Sequence, residues 1–329
     1  MSKSFIESSL CQTDVAFDVP LRPQSLSEFS GQDQIRERLE VLIGAAKQRG
    51  EVLGHCLFGG PPGLGKTTLA HIIAKVMGSN LVVTSGPVIE KAGDLAGVLT
   101  NLQEGDILFI DELHRLNRTV EEYLYPAMED FALDLMIDSG PSARSVQVKL
   151  NRFTLVGATT RVGLITAPMR SRFAFTCRLD YYEPAVLQQI LQRTSRILNL
   201  DIDKSGLMEI ANRARGTPRI ANHLLRWVRD FAQMRAAGGK VDKQVVEQAL
   251  ALLAIDEKGL DEMDKRILSV IIDHYNGGPV GLNTIAVAVG EEGSTIEEVY
   301  EPYLIMQGLL KRTPRGRETT VLAHQHMNR

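Results

Sequence analysis

The 329-residue sequence predicts an α/β domain built on a parallel sheet, followed by a small all-α domain and a C-terminal winged-helix module. Three observations predict it. Gly60-Pro61-Pro62-Gly63-Leu64-Gly65-Lys66-Thr67 completes a G-x-x-x-x-G-K-[ST] phosphate loop, set between the apolar run Cys56-Leu57-Phe58 and residues Leu69, Ile72, Ile73 and Val76 at helical spacing. Strand signals then cease after Pro184, leaving helical periodicity to about Ile255. The remainder, residues 256–329, reads as three short helices followed by β-compatible residues around Thr319-Thr320-Val321-Leu322.

In chain order, residues 1–20 lack periodicity and are expected to form a flexible lead-in, ended by Pro20-Leu21-Arg22-Pro23. Residues 21–182 form the large sheet domain: Asp106–Asp111 and Phe153–Gly157 are short apolar runs, as parallel strands covered on both faces require. Between them, at about 133–150, Leu133, Leu135 and Ile137 alternate with polar positions, and so do Val146, Val148 and Leu150 beyond the turn residues Ser139-Gly140-Pro141-Ser142. This is a β-hairpin with one apolar face, which either packs on its own domain or docks a partner. Residues 183–255 are the helical domain, with helices at Val186–Leu198, Lys204–Arg215 and Pro218–Met234, the last starting at Thr217 as N-cap and Pro218 in the first turn. Residues 256–329 are the winged-helix domain.

Composition narrows the function. A net charge of −3 rules out nucleic-acid binding by bulk positive charge, so any such contact needs a local patch. Aromatic residues at 5% are too sparse for a broad base-stacking platform. Three scattered cysteines suit a reducing compartment, and no apolar run approaches the roughly 18 residues of a membrane span. A cytoplasmic protein with no membrane partner is expected.

The phosphate loop makes a nucleoside triphosphate the first ligand to consider. Glycines 60, 63 and 65 let backbone N–H groups approach phosphate oxygens. Lys66 would reach the outer phosphates, and Thr67 would hold Mg²⁺ with Thr68 beside it. Asp111-Glu112 closes an apolar strand at the sheet edge where ligands bind in such folds, so Asp111 suits the metal shell and Glu112 the activation of water. Lys311, Arg312, Arg315 and Arg317 place four cations in seven residues without an intervening acid, the local patch the charge argument requires. Contact with about three phosphates would give a salt slope of about −2.7, enough to guide a duplex without holding it tightly.

The phosphate loop, Asp111-Glu112-Leu113-His114-Arg115, Gly157-Ala158-Thr159-Thr160-Arg161 and Gly216-Thr217-Pro218-Arg219 stand in the order found in AAA+ ATPases. Within that class, Ser85-Gly86-Pro87-Val88-Ile89-Glu90-Lys91-Ala92-Gly93-Asp94-Leu95 and Arg312-Thr313-Pro314-Arg315-Gly316-Arg317 resemble the RuvB family of Holliday junction branch-migration motors. The resemblance spans roughly residues 20–322. It implies an ATP hydrolase that works as a homohexameric ring on duplex DNA at four-way junctions in recombination and repair, with RuvA as junction-binding partner and RuvC as resolvase. It also implies roles: Thr160 (or Thr159 beside it) as sensor 1, Arg219 as sensor 2, and Arg172 as an arginine finger reaching a neighbouring subunit's ATP. Leu21, Arg22, Glu129, Asp130, Phe131 and Tyr182 would lie around the nucleotide, and Arg312 and Arg317, with Arg315 between them, would contact DNA. Gly293 departs from the pattern, standing where many relatives carry a basic residue. The hairpin is the expected RuvA contact. The competing expectation is an AAA+ switch, such as a clamp loader or replication initiator, which assembles on DNA without translocating.

Overall fold

The computed structural model describes residues 4–11, 15–136, 145–235 and 240–328. The chain divides into two compact units, residues 22–181 and residues 1–21 with 182–329.

The first unit holds strands β1 (Cys56–Gly59), β2 (Leu81–Ser85), β3 (Ile107–Asp111), β4 (Ala132–Met136), β5 (Ser145–Lys149), β6 (Thr154–Thr159) and β7 (Phe175–Arg178). Five of them form an all-parallel sheet in the order β2-β3-β6-β1-β7. Of the three inner strands, β1 and β6 are buried at every position and β3 at all but its last residue, because helices cover both faces. Helix Lys66–Met77 packs Leu69, Ile72 and Ile73 on one side. On the other lies a core of Leu57, Leu108, Ile110, Leu124 and Leu155. The edge strands escape sequence reading for a physical reason. β2 is half-exposed, with Val83 turned to solvent, and β7 alternates buried and exposed residues, so neither presents an unbroken apolar run.

β4 and β5 pair antiparallel, with Leu133 opposite Val148 and Leu135 opposite Val146. The expected hairpin therefore exists. Its apolar face is divided: Leu133 is fully buried in the domain core, while Val146, further along, is 43% exposed. The turn Ser139-Gly140-Pro141-Ser142, Ile137 and the Leu135 side chain lie outside the described residues.

The second unit contains helices Pro184–Ile197, Lys204–Arg213, Pro218–Arg235 and Lys243–Ala251, whose buried faces carry Leu187, Leu191, Ile210, Leu224, Val228 and Leu250. The fourth falls within the helical stretch expected to about Ile255, although its bounds were not read from the sequence. It is capped by Asp242, which accepts from Val245 N, and Trp227 Nε1 donates to its Ala249 carbonyl at 2.7 Å. The C-terminal part packs helices Glu262–Tyr275 and Leu282–Val289 and the helical stretch 293–306 against strands β8 (Leu310–Thr313) and β9 (Gly316–Thr319), a winged helix. Val321-Leu322, expected to be β-compatible, instead opens helix Val321–His326, because Thr320 caps it by accepting from Ala323 N.

Residues 1–20 were expected to be flexible, and here the structure corrects the sequence reading. Phe5–Cys11 and Val15–Leu21 are helices. Ile6 is completely buried, Ser4 Oγ lies 2.9 Å from the Tyr300 hydroxyl, and the buried Glu7 accepts from that hydroxyl at 3.4 Å. The His223 ring stacks edge-on to Phe17 and lies 3.4 Å from Asp18. A few anchors at irregular spacing hold the segment, which is why no periodicity announces it. Ile6→Asp is expected to release it, with chymotrypsin cleaving at Phe5, Leu10 or Phe17 at least about tenfold faster than in the wild type, since burying the charge costs several kcal/mol. Unchanged cleavage kinetics would mean that Ile6 is no anchor.

Candidate functional site

The parallel order β3-β6-β1 brings three loops to one sheet edge: the phosphate loop after β1, Asp111-Glu112 after β3, and Thr159-Thr160 after β6. The phosphate loop turns on glycines at φ 130° (Gly60), 76° (Gly63) and 103° (Gly65), the last capping helix Lys66–Met77. At Gly60 even a methyl group is excluded, because a Cβ would lie 2.4 Å from the Leu179 carbonyl oxygen. The backbone therefore stays bare where phosphate oxygens must approach, and the helix N-terminus adds its partial positive charge. Lys66, 8% exposed, donates to the Gly60 and Pro61 carbonyls at 2.7 Å each. Thr67 and Thr68 stand half-buried in the first turn. A bare backbone cradle with a cation and hydroxyls suits a nucleoside triphosphate and Mg²⁺.

Asp111 Oδ1 accepts from Glu112 N at 2.9 Å. Glu112 itself occupies left-handed space (φ 48°), a conformation costing a non-glycine residue about 1–2 kcal/mol and typical of functional positions. Arg115 holds its carboxylate at 2.9 Å. The two threonines of the third loop separate clearly. Thr159 is fully buried: its hydroxyl shares a 2.9 Å hydrogen bond with His114 Nδ1 and accepts from Arg161 N at 3.0 Å. Thr160 stands half-exposed just past the strand end.

Arg172 is brought to Glu129. Its guanidinium bonds the Glu129 carboxylate at 3.1 Å and the Pro168 carbonyl at 2.6 Å, and stacks 4.3 Å from the Tyr125 ring centroid. Its Nε is buried without a hydrogen-bond partner among the described residues. Asp130 caps the helix ending at Glu129. Phe131, by contrast, packs into an aromatic group with His55 and Phe153 and lies beneath Arg152. His55 donates from Nε2 to Met128 O and accepts at Nδ1 from Leu155 N, so it is the neutral Nε2–H tautomer, and burial lowers its pKa accordingly. Arg22 donates to His71 Nε2 at 2.8 Å on the helix that follows the phosphate loop.

In the other unit, the Leu21 carbonyl accepts from Arg193 at 2.7 Å, the buried Tyr182 donates its N–H to Gly216 O at 2.9 Å, and Arg219 donates to the Leu10 carbonyl at 3.1 Å. In the wing, the basic cluster is less positive than its sequence suggests. Glu297 and Glu301, on the preceding helical stretch, reach Arg312 at 2.8 Å and Arg317 at 2.9 Å respectively. Arg317 is only 11% exposed, whereas Arg312 is 57% exposed and Lys311 and Arg315 point outward. His114, Arg115 and His55 were given no role from the sequence. The first two lie within the Asp111-Glu112-Leu113-His114-Arg115 motif, and nothing at His55 signals a role.

The comparisons with known proteins agree along the whole chain. Family profiles described as the Holliday junction DNA helicase RuvB P-loop domain, the RuvB AAA lid domain and the RuvB C-terminal winged helix domain match residues 21–179, 182–256 and 257–328. The chain is 72% identical to the Holliday junction branch migration complex subunit RuvB of Protochlamydia amoebophila, over 99% of this chain and 98% of that one. It is 59% identical to the subunit of the same name from Chlamydia pneumoniae, over 96% and 94%. The solved structure of the Thermotoga maritima RuvB Holliday junction branch migration motor superposes with a TM-score of 0.85 at 49% identity, covering 94% of this chain and 98% of that one.

Thr159→Val should remove the hydrogen bonds of the Thr159 hydroxyl to His114 and Arg161 N and lower stability by about 1–3 kcal/mol. Thr160→Val should change it by no more than about 0.5 kcal/mol. Thermal denaturation of the two variants checks the assignment.

Proposed function

The chain belongs to the RuvB family of AAA+ ATPases, and from that premise we propose that it is an ATP-driven motor of Holliday junction branch migration. It acts as a homohexameric ring around duplex DNA, with RuvA at the junction and RuvC as resolvase, in the cytoplasm; among the described residues no helix is long and apolar enough to cross a membrane. The observation that carries the reading is the convergence of the phosphate loop, Asp111-Glu112 and Thr160 on one edge of a parallel sheet. The domains run 21–182, 183–255 and 256–329.

Gly63, Gly65 and Lys66 would cradle the phosphates, and Thr67 and Asp111 would hold Mg²⁺, which when bound would supply neutralisation of phosphate charge. Glu112 orients and deprotonates the attacking water, which a strained carboxylate beside the metal shell can do without ligating it. Thr160 is sensor 1, since the Thr159 hydroxyl is already engaged. Arg172, held by Glu129, Pro168 and Tyr125, is presented as the finger for a neighbour's ATP, and such a group contributes about 10³ to 10⁵ in rate. Arg22, Leu21, Asp130 and Tyr182 lie around the nucleotide, and Arg219 senses it. Phe131 supports that rim from the domain core. In the wing, Arg312 and Arg315 contact phosphates, while Arg317 reaches DNA only by giving up Glu301, and otherwise braces the wing. The clamp-loader or initiator alternative finds no feature favouring it in a chain with this degree of similarity along all three domains.

A synthetic four-way junction with long heterologous arms is the direct test: ATP and RuvA should give processive branch migration, and junction binding without movement would indicate a switch. Glu112→Gln should bind ATP with hydrolysis reduced about 10²- to 10⁴-fold; near-normal turnover would remove Glu112 from its role. Arg172→Ala should be inactive alone yet regain hydrolysis when mixed with Lys66→Ala subunits, because each supplies what the other lacks, and no recovery would place the finger in cis. Arg315→Ala should reduce the salt slope of duplex binding by about 0.9, the value of one phosphate contact.

A further inference from the structure

Arg215 stands one residue before the Gly216-Thr217-Pro218-Arg219 turn, and its side chain runs away from the helical domain into the winged helix. It is 3% exposed and holds left-handed backbone space at φ 55°. Its Nε donates to the Gly259 carbonyl at 2.8 Å, one guanidinium nitrogen is hydrogen-bonded to Asp264, Asp261 lies at 4.0 Å, and the Tyr303 ring centroid lies 4.8 Å beneath. Asp261 and Asp264 are the reciprocal capping box of helix Glu262–Tyr275, so the oxygen that takes Arg215 also fixes the first turn of the winged-helix module. Neither carboxylate is more than 2% exposed. Burial and the second carboxylate push Asp264 up to about 7.

The surroundings admit little slack. A Cβ on Gly259 would fall 2.6 Å from the Arg213 carbonyl oxygen, Arg213 donates to Ile255 O at 3.1 Å, and the Thr217 hydroxyl donates to the Arg215 carbonyl at 3.3 Å. On the far side of the turn, Arg219 donates to Leu10 O, on the helix whose Glu7 and preceding Ser4 reach Tyr300 of the winged helix. Both arginines that flank the turn are therefore tied, directly or through the N-terminal helix, to the winged-helix module.

We propose that Arg215 is a positioning residue for Arg219: its buried clamp on Asp264 joins the nucleotide-sensing turn to the first helix of the winged-helix module, so that a shift of one is carried to the other. This rests on the reading of Arg219 as a nucleotide sensor. A buried ion pair adds little stability over a well-packed apolar replacement, but its directional bonds fix orientation, and an apolar contact can slide. Separating the two effects is what the test requires.

The double variant Arg215→Met/Asp264→Asn, in which the amide oxygen still accepts from Asp261 N, and the conservative variant Arg215→Lys are compared with the wild type by hydrogen exchange of helix Glu262–Tyr275, with ADP and with a non-hydrolysable ATP analogue, alongside thermal melting and the number of base pairs migrated per ATP hydrolysed. In the wild type the two nucleotides should give different exchange in that helix. The double variant should melt close to the wild type, lose that difference and migrate at least about fivefold fewer base pairs per ATP, which is the loss of a coupling free energy of the usual size. Arg215→Lys should recover most of both. Exchange that ignores nucleotide in the wild type, or a nucleotide response that persists in the double variant, overturns the proposal. So does a loss of ATP hydrolysis that merely follows a lowered melting temperature. A wild-type chain that responds in exchange but fails to migrate junctions would instead refute the motor reading and leave the clamp standing.

Discussion

The parallel pairing of β3, β6 and β1 is the constraint on which the rest of this structure depends. Parallel strands all end at the same sheet edge, and Gly59 at the end of β1 lies level with Thr159 at the end of β6, which is flanked on its other side by β3 and its terminal Asp111. Residues separated by about a hundred positions in the chain are thus delivered to one line of loops. The core that enforces this register is apolar, so the edge can bear the left-handed backbone of Glu112, while the glycines of the phosphate loop adopt positive φ without that cost.

A second theme is how an acidic chain manages its arginines. Arg172, Arg215 and Arg317 are each largely buried against carboxylates: Glu129, Asp264 and Glu301. Their pairings differ in consequence. Around Arg172 an unsatisfied Nε and a stacked ring leave the guanidinium oriented with bonding capacity to spare. Arg317 is braced between Glu297 and Glu301, so the wing's outward charge falls to Lys311, Arg312 and Arg315. Arg215 is enclosed altogether, and its charge serves orientation within the protein.

Legibility in the sequence followed the length and regularity of each signal. The phosphate loop, β1, β3 and β6, and the Pro218 helix could be read because motif, apolar run or helical period spoke locally. The edge strands β2 and β7 could not, since one face of each meets solvent and breaks the run. The N-terminal helices could not either, because Glu7 and Phe17 find their partners, Tyr300 and His223, two to three hundred residues away.

Chemistry, then, was determined by the sequence alone: glycine spacing, a loop lysine, a strand ending in two carboxylates and a basic cluster require no knowledge of distant neighbours, since each is a property of a few adjacent residues. Which hydroxyl of Thr159 and Thr160 remains available, which wing cations face outward, and that Arg215 leaves its own domain were decided only by tertiary structure. The physical reason is that availability is a matter of pairing and burial, and the partners involved, His114, Glu301 and Asp264, are brought together by packing and not by sequence proximity.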